Sequence, residues 1–174
     1  CACGQTAPVQ VVAGTESIYY GDFESAVSKA MTLPNSTVRL LKDVTYSGDS
    51  SIYIDGGTFT IDWNGHTLSG SFWGNLLTIS QSANVTLQNS DTNTGGARQT
   101  GYGAAVRIAV GSEGSVNIQG GTYFPNVTRA ERCYGSVQIS GGVFENSKGH
   151  GQTFALYNAS GSLSGMLADN TAFA

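Results

Sequence analysis

Residues suited to sugar recognition are concentrated in one segment, 89–103, which reads NSDTNTGGARQTGYG. Tyrosine rings stack on the apolar faces of sugars, while carboxylate, amide and guanidinium groups hydrogen-bond sugar hydroxyls. The same residue types are also common in solvated loops that bind nothing. The candidate binding residues are those of this segment and one outward-facing tyrosine upstream of it: Asp91, Asn93, Arg98, Tyr102 and Tyr53.

Acid–base chemistry on a polysaccharide has a different requirement. A glycoside hydrolase needs two suitably spaced carboxyl groups, and a lyase needs a base, usually beside a calcium ion held by several carboxylates. The outward columns expected on the repeated strands contain one carboxylate, Asp55. Asp62 is expected to face outward as well, but it approaches Asp55 only around a corner. We therefore predict no catalytic residue, no metal ligand and no cofactor.

The cysteines are odd in number: Cys1, Cys3 and Cys133. Cys133 lies just before a strand predicted to begin at Ser136, so we expect it on an accessible corner, outside the inward column. Three interpretations of Cys1 and Cys3 stay open: a remnant of an upstream linker, a lipid-modified first cysteine, or a disulfide from the N-terminal tail to Cys133 of the same or a neighbouring chain. One C-x-C pair is too small for a structural zinc site, which needs four ligands.

The elements that position these residues are predicted from a recurring nine-residue phrase. Ser115–Tyr123 reads SVNIQGGTY, Ser136–Phe144 reads SVQISGGVF 21 residues later (136 − 115), and Ser51–Phe59 reads SIYIDGGTF. Alternating β-branched residues indicate a strand, and Gly-Gly lets the chain turn a corner at positive φ. Recurrence at 20–30 residues is typical of a solenoid.

Registering the chain on this phrase predicts an all-β fold, a right-handed parallel β-helix (β-solenoid) of about five coils. The predicted inward residues of the repeated strand are Ile52, Val85, Val116, Val137 and Leu163. A second strand precedes it in each coil, at Leu77–Ile79, Val106–Ile108 and Phe154–Leu156. The same register predicts an internal aromatic stack of Phe59, Tyr123 and Phe144. Residues 125–135 are expected to form a loop.

A helix is predicted near residues 22–32. Asp22 is a suitable N-cap, and apolar residues follow at helical spacing from Phe23 to Met31. Such a helix would cover the open apolar end of the first coil. We assign residues 1–16 to an N-terminal tail or linker and 17–174 to a single β-helix domain.

Composition excludes two classes of partner. The chain has 24 Gly and three Pro among 174 residues, which suits coils and corners. Its formal net charge is −4, and its eight Lys and Arg residues are scattered. Nucleic-acid binding needs clustered cations, so we expect no such partner. No apolar run reaches the roughly 18 residues of a membrane span.

The glycine phrases also carry a resemblance to a known group. The run Phe23–Gly70, with AVSKAM, STVRLLKDVT and GGTFTIDWNGHTLSG, resembles the opening of β-helix modules in large secreted surface proteins of Gram-positive gut and rumen bacteria. The later GGTY, GGVF and LSGMLADNTAF continue the likeness, which covers residues 17–174. It implies membership of the pectate-lyase-like β-helix group. Modules of this kind are mostly unassigned surface or adhesive units, and longer relatives are polysaccharide lyases and hydrolases.

These observations favour one function and leave two alternatives open. The favoured function is a non-catalytic module, secreted and attached to the cell surface, that is adhesive or structural and binds a polysaccharide or a cell-surface glycan. The first alternative is a subunit that associates end to end into an extracellular filament. The second is a polysaccharide lyase or glycoside hydrolase.

Overall fold

The computed structural model describes residues 7–145 and, as backbone, the strand Leu156–Asn158. This part of the chain is mostly β, with seventeen strands and one helix. Its sheets are parallel except at the N-terminal edge of one of them. The prediction of a β-rich fold with parallel sheets is therefore confirmed. None of the helical residues described forms a segment long and apolar enough to cross a membrane.

The N-terminal residues form a hairpin that extends one sheet. Strand β1 (Val9–Ala13) turns at Gly14, where φ is +59°, and pairs antiparallel with β2 (Glu16–Tyr20). On its other side β1 pairs antiparallel with β3 (Ser36–Leu40). Residues 9–13, which lie inside the span 1–16, thus belong to a sheet.

The single helix of the described chain, α1 (Phe23–Ala30), agrees with the prediction for residues 22–32. Asp22 is its N-cap, and an Asp22 carboxylate oxygen accepts a 2.8 Å hydrogen bond from the Ser25 backbone N–H. The apolar face is buried and contacts β1, β2 and β3. Phe23 stacks on the buried ring of Trp63, with ring centroids 6.4 Å apart.

The rest of the described chain consists of five repeats of three strands. The first strands are β3, β6 (Thr58–Asp62), β9 (Asn84–Gln88), β12 (Ser115–Ile118) and β15 (Ser136–Ile139). The second strands are β4 (Val44–Tyr46), β7 (Thr67–Gly70), β10 (Gly96–Gln99), β13 (Thr122–Phe124) and β16 (Val143–Phe144). The third strands are β5 (Ile52–Ile54), β8 (Leu77–Gln81), β11 (Val106–Val110), β14 (Val127–Arg129) and β17 (Leu156–Asn158). Strands of equal rank pair in parallel and form a first, a second and a third sheet.

Much of the predicted register is confirmed. Val85, Val116 and Val137 lie opposite one another in the first sheet, and their side chains are buried. In the third sheet Leu77 pairs with Val106. Alternate residues of these strands point into one apolar core, as the period of two predicts. Leu163 and Phe154 lie outside the described residues.

The register of the earliest glycine phrase was predicted wrongly. Ile52 pairs with Leu77 in the third sheet, so it does not share a column with Val85. Phe59 lies on β6 in the next repeat and pairs with Val85 in the first sheet. SIYIDGGTF therefore turns the corner from a third strand to a first strand, whereas SVNIQGGTY turns from a first strand to a second. Gly-Gly marks a corner of the chain but does not identify which one.

The aromatic stack contains two of the three predicted rings, those of Tyr123 and Phe144. Tyr123 and Phe144 lie opposite each other in the second sheet, with ring centroids 5.5 Å apart and planes 16° from parallel. Phe59 belongs to a different sheet and is not part of this stack. The Tyr123 hydroxyl donates to the carbonyl of Gly120 and accepts from the indole of Trp63. Burial raises the pKa of Tyr123, against a smaller lowering by the hydrogen bond with Trp63.

Residues 125–135 are not the simple loop that the sequence predicted. They contain β14, which follows β13 after a connection of only two residues, Pro125 and Asn126. Cys133 lies beyond β14 in a turn and, contrary to the expectation of an accessible thiol, its side chain is buried. The thiol is free in the structure, while Cys1 and Cys3 lie outside the described residues.

Replacing Val137 with Asp is expected to lower the free energy of unfolding by roughly 3–5 kcal/mol, because an unpaired carboxylate would enter the core. Gln138→Asp is the matched control: its side chain points outward from the same strand, so its effect should stay within about 0.5 kcal/mol. Urea denaturation of both variants measures the difference. Equal stabilities would contradict the register of β15.

Cys133 is expected to react slowly with a thiol reagent in the folded protein and rapidly in urea, because its side chain is buried. The measurement uses a Cys1→Ser/Cys3→Ser variant, so that Cys133 is the thiol that reacts. The native rate should fall below the denatured rate by at least about tenfold. Equal rates would show that the turn after β14 leaves this thiol exposed.

Candidate functional site: an exposed aromatic pair

The five candidate binding residues lie at four different places around the repeats. Asp91 and Asn93 belong to the connection from β9 to β10, and Arg98 lies on β10. Tyr102 belongs to the connection from β10 to β11, and Tyr53 lies on β5 in the first repeat. The structure therefore does not assemble them into one site, and each must be considered with its own neighbours.

Asp91 and Asn93 form a turn that is hydrogen-bonded to itself. An Asp91 carboxylate oxygen accepts from the Asn93 backbone N–H at 2.8 Å, and the Asn89 amide donates to the carbonyls of both residues. The Asn89 side-chain oxygen also accepts from the Gly65 backbone N–H, at 2.7 Å. These hydrogen bonds attach the loop to the preceding repeat, and they account for its polar residues.

Arg98 lies on the outer face of the second sheet. Its guanidinium carbon is 4.3 Å from the centre of the Phe124 ring, on the neighbouring strand β13. A shallow cavity of about 290 Å³ adjoins the pair and is lined partly by Thr67, Thr122 and Glu145. The Arg98 guanidinium and the Glu145 carboxylate both border this cavity, so it does not favour ligands of one charge.

Tyr102 has a partner that the sequence prediction did not single out. Its ring stacks on that of Trp73, with centroids 4.5 Å apart and planes 27° from parallel. Trp73 is 79% exposed and Tyr102 is 52% exposed. We call these two rings the aromatic ridge. Tyr53 is exposed too, but it lies opposite Thr78, five residues beyond Trp73 along the chain, and is not part of the ridge.

The ridge stands on two connections of equal length, 71–76 between β7 and β8 and 100–105 between β10 and β11. The Tyr102 carbonyl accepts from the Gly74 N–H, and the Asn75 side chain accepts from the Ala104 N–H at 3.0 Å. The buried amide of Gln99 donates to the Gly74 carbonyl at 2.6 Å. These bonds join the two connections along their length and fix the two rings in contact.

Two glycines allow the connections to approach this closely. A Cβ on Gly101 would lie 2.0 Å from the Phe72 carbonyl oxygen, and one on Gly103 would lie 2.2 Å from that of Gly74. Gly103 also has φ of +137°, a conformation that side chains disfavour. Phe72 meanwhile turns inward against the core and packs edge-on against Tyr46, at 5.8 Å. The ridge is therefore a rigid surface.

Asp62 is held by hydrogen bonds inside the molecule. Asp62, expected on the surface, is fully buried, and it accepts hydrogen bonds from the Arg39 Nε at 3.1 Å and the Ser90 hydroxyl at 2.8 Å. The backbone N–H groups of Asn64 and Ser90 donate to it as well. Asp62 thus connects three repeats. Within the described residues, no three His, Cys, Asp or Glu side chains lie close enough together to hold a metal ion.

Comparison of the chain with protein-family models, curated proteins and solved structures finds no match. The signal for the ridge is present in the sequence, because Trp73 precedes Leu77 by four residues and Tyr102 precedes Val106 by four. Because Leu77 pairs with Val106 in the third sheet, this shared spacing of four residues brings the two rings into contact.

Gly103→Ala is expected to lower the free energy of unfolding by roughly 2–4 kcal/mol, because the methyl group meets the Gly74 carbonyl at an unfavourable φ. It should also weaken the near-ultraviolet circular dichroism produced by the stacked Trp73 and Tyr102 rings. Gly21→Ala is the control, since a Cβ there meets nothing within 4 Å. Unchanged stability and dichroism in Gly103→Ala would contradict the close stacking of the two connections.

Proposed function

We propose that this chain is a non-catalytic, carbohydrate-binding module of a secreted or cell-surface protein, and that it binds its ligand at the aromatic ridge. One observation carries the proposal. Two large rings, Trp73 and Tyr102, are stacked on each other and held rigid while most of their surface remains in water. Contiguous exposed apolar surface is where folded proteins bind partners and ligands, and the two stacked rings form one contiguous apolar surface.

The chemistry of a sugar fits this surface. The C–H groups of a pyranose ring form an apolar face, which packs against an aromatic ring, and its hydroxyls stay available for hydrogen bonds. Trp and Tyr provide a large contact area at a small cost in side-chain entropy, which is why they dominate binding hot spots. Because the supporting connections are already hydrogen-bonded to each other, binding requires little reorganisation.

The architecture proposed for the module is a right-handed parallel β-helix. Parallel pairing of every third strand in three sheets supports it, since a chain that winds through three faces per coil produces that order. Connections between parallel strands of one sheet are right-handed in about 98% of cases, which supports the hand. The secreted location rests on the resemblance described above. Assembly into a filament stays a prediction, because no contact in the described chain favours it over the module.

Trp73→Ala is expected to weaken saccharide binding at least about tenfold, because it removes the larger ring of the ridge. The probes are neutral hexose oligosaccharides of two to six residues, screened by quenching of tryptophan fluorescence with iodide. Trp63 is buried and Trp73 is 79% exposed, so ligand protection reports on Trp73. The affinity of Trp73→Ala is then measured by calorimetry.

Tyr134→Ala is the matched control, since it removes another exposed aromatic ring far from the ridge in the sequence. Its affinity should equal that of the unchanged protein. The melting temperature of Trp73→Ala should also be unchanged, because its side chain is largely in water. Binding that survives Trp73→Ala, or that Tyr134→Ala reduces equally, would overturn the ridge as the site.

A further inference from the structure

The first sheet ends at an open strand edge. Its strands lie in the order β15, β12, β9, β6, β3, β1 and β2, so β2 is the last strand at the N-terminal end. One side of β2 pairs with β1 along its whole length, and no strand of the described residues pairs with the other side. An edge of this kind presents N–H and C=O groups to which another strand can bind.

The hydrogen-bonding phase of β1 follows from one bond at its start. The Leu41 N–H donates to the Pro8 carbonyl at 2.8 Å, so Pro8 bonds on the side of β3. Residues of a strand that lies between two antiparallel neighbours bond to one neighbour and the other in alternation. Val11, three residues after Pro8, therefore directs its N–H and C=O toward β2.

The same alternation identifies the outward groups of β2. Ile18 lies opposite Val11 and bonds to it, so the backbone groups of Ser17 and Tyr19 point away from β1. The open side of the strand thus presents the N–H and C=O groups of these two residues. The Gln10 side-chain amide donates to both of their hydroxyls, at 3.1 and 3.3 Å, and holds the two side chains on the outer face of the sheet.

This edge is complementary to a copy of itself. A two-fold axis through Ile18 places Ser17 of each copy opposite Tyr19 of the other, and each such pair exchanges two main-chain hydrogen bonds. Every outward backbone group of these residues is then satisfied without a change in β2. Glu16, the one charged residue of the strand, faces Tyr20 of the other copy and no second carboxylate.

A row of paired apolar residues across the first sheet favours the same arrangement. It has one member in each of the seven strands: Ile139, Ile118, Leu87, Ile61, Val38, Val11 and Ile18. All of them except Ile18 are fully buried, and Ile18 is half-buried because it stands at the edge. On the two-fold axis the Ile18 side chains of the two copies lie side by side and bury the apolar surface that is still exposed.

Strand β2 lacks the features that keep edge strands from pairing. Natural edges are protected by lysine, by proline, by a bulge or by a charge that points inward. Residues 16–20 contain no Lys and no Pro, and their one-to-one register with β1 contains no bulge. The single charge, on Glu16, lies at the end of the strand beside the turn, where the side chain is exposed.

We infer that β2 is a self-association surface, at which a second copy of this chain pairs antiparallel about a two-fold axis through Ile18. The inference does not depend on the proposed sugar site, which lies on connections of the second and third repeats. Because both copies use the same edge, the pairing closes at two chains. The product is therefore a dimer and not a filament.

The first test introduces cysteines on β2 in the Cys1→Ser/Cys3→Ser background. Ile18→Cys places the new thiol on the two-fold axis, where the two Cα atoms are about 4.5 Å apart and within disulfide range. This variant should form a covalent dimer in a glutathione redox buffer. Ser17→Cys faces Tyr19 of the other copy and should stay uncrosslinked, as should the background, whose remaining thiol is buried.

The second test measures association in the same background by sedimentation velocity at increasing protein concentration. Tyr19→Pro removes an outward N–H and leaves the bonds to β1 in place, so it should weaken dimerisation at least about tenfold. Tyr19→Ala is the matched control, because it keeps the N–H, and it should still dimerise. Ile18→Lys brings two ammonium groups together on the axis and should also weaken dimerisation. Far-ultraviolet circular dichroism should be the same for all of these variants.

Three results would overturn the inference. The first is a chain that stays monomeric at every concentration. The second is dimerisation that Tyr19→Pro and Ile18→Lys leave unchanged, which would place the interface elsewhere. The third is equal cross-linking of Ile18→Cys and Ser17→Cys, which would indicate a parallel pairing in which every residue faces itself. The proposed function is tested separately, by the effect of Trp73→Ala on saccharide binding.

Discussion

Parallel main-chain pairing between repeats is the constraint on which the rest of the structure depends. Paired strands lie about 4.8 Å apart, so connections of equal length that leave them are stacked at the same spacing. Trp73 meets Tyr102 because Leu77 pairs with Val106 and both preceding connections have six residues. In the fourth repeat the same connection has two residues, 125–126, and it cannot carry a ring at that level. The number of rings in the ridge therefore depends on how many residues the connection has in each repeat.

Two glycines determine how closely the connections approach at this edge of the molecule. Gly101 and Gly103 let two connections come into backbone contact, which brings the aromatic rings together. A substitution at either position would therefore disturb the aromatic surface itself. The composition of the chain gives only the number of glycines, and the register identifies the two that have this role.

Periodic features were predictable from the sequence, and features that depend on pairing were not. Apolar alternation identified the strands of Val85, Val116 and Val137, and the spacing from Phe23 with the Asp22 cap identified α1. The Gly-Gly phrase misplaced Ile52 because a corner has the same local chemistry wherever it occurs in the repeat. β14 was missed because three residues are too short for alternation to be recognised. The contact of Trp73 with Tyr102 follows only from the register of the third sheet.

Asp62 shows how the neighbouring repeats decide the role of a carboxylate. It is the last residue of β6, and the sequence predicted a surface position for it. At Asp62 the adjacent repeats supply Arg39 on one side and Ser90 on the other, and their hydrogen bonds offset the cost of burying the charge. This carboxylate therefore holds three consecutive repeats together, and it is buried because two of them supply its hydrogen-bond donors.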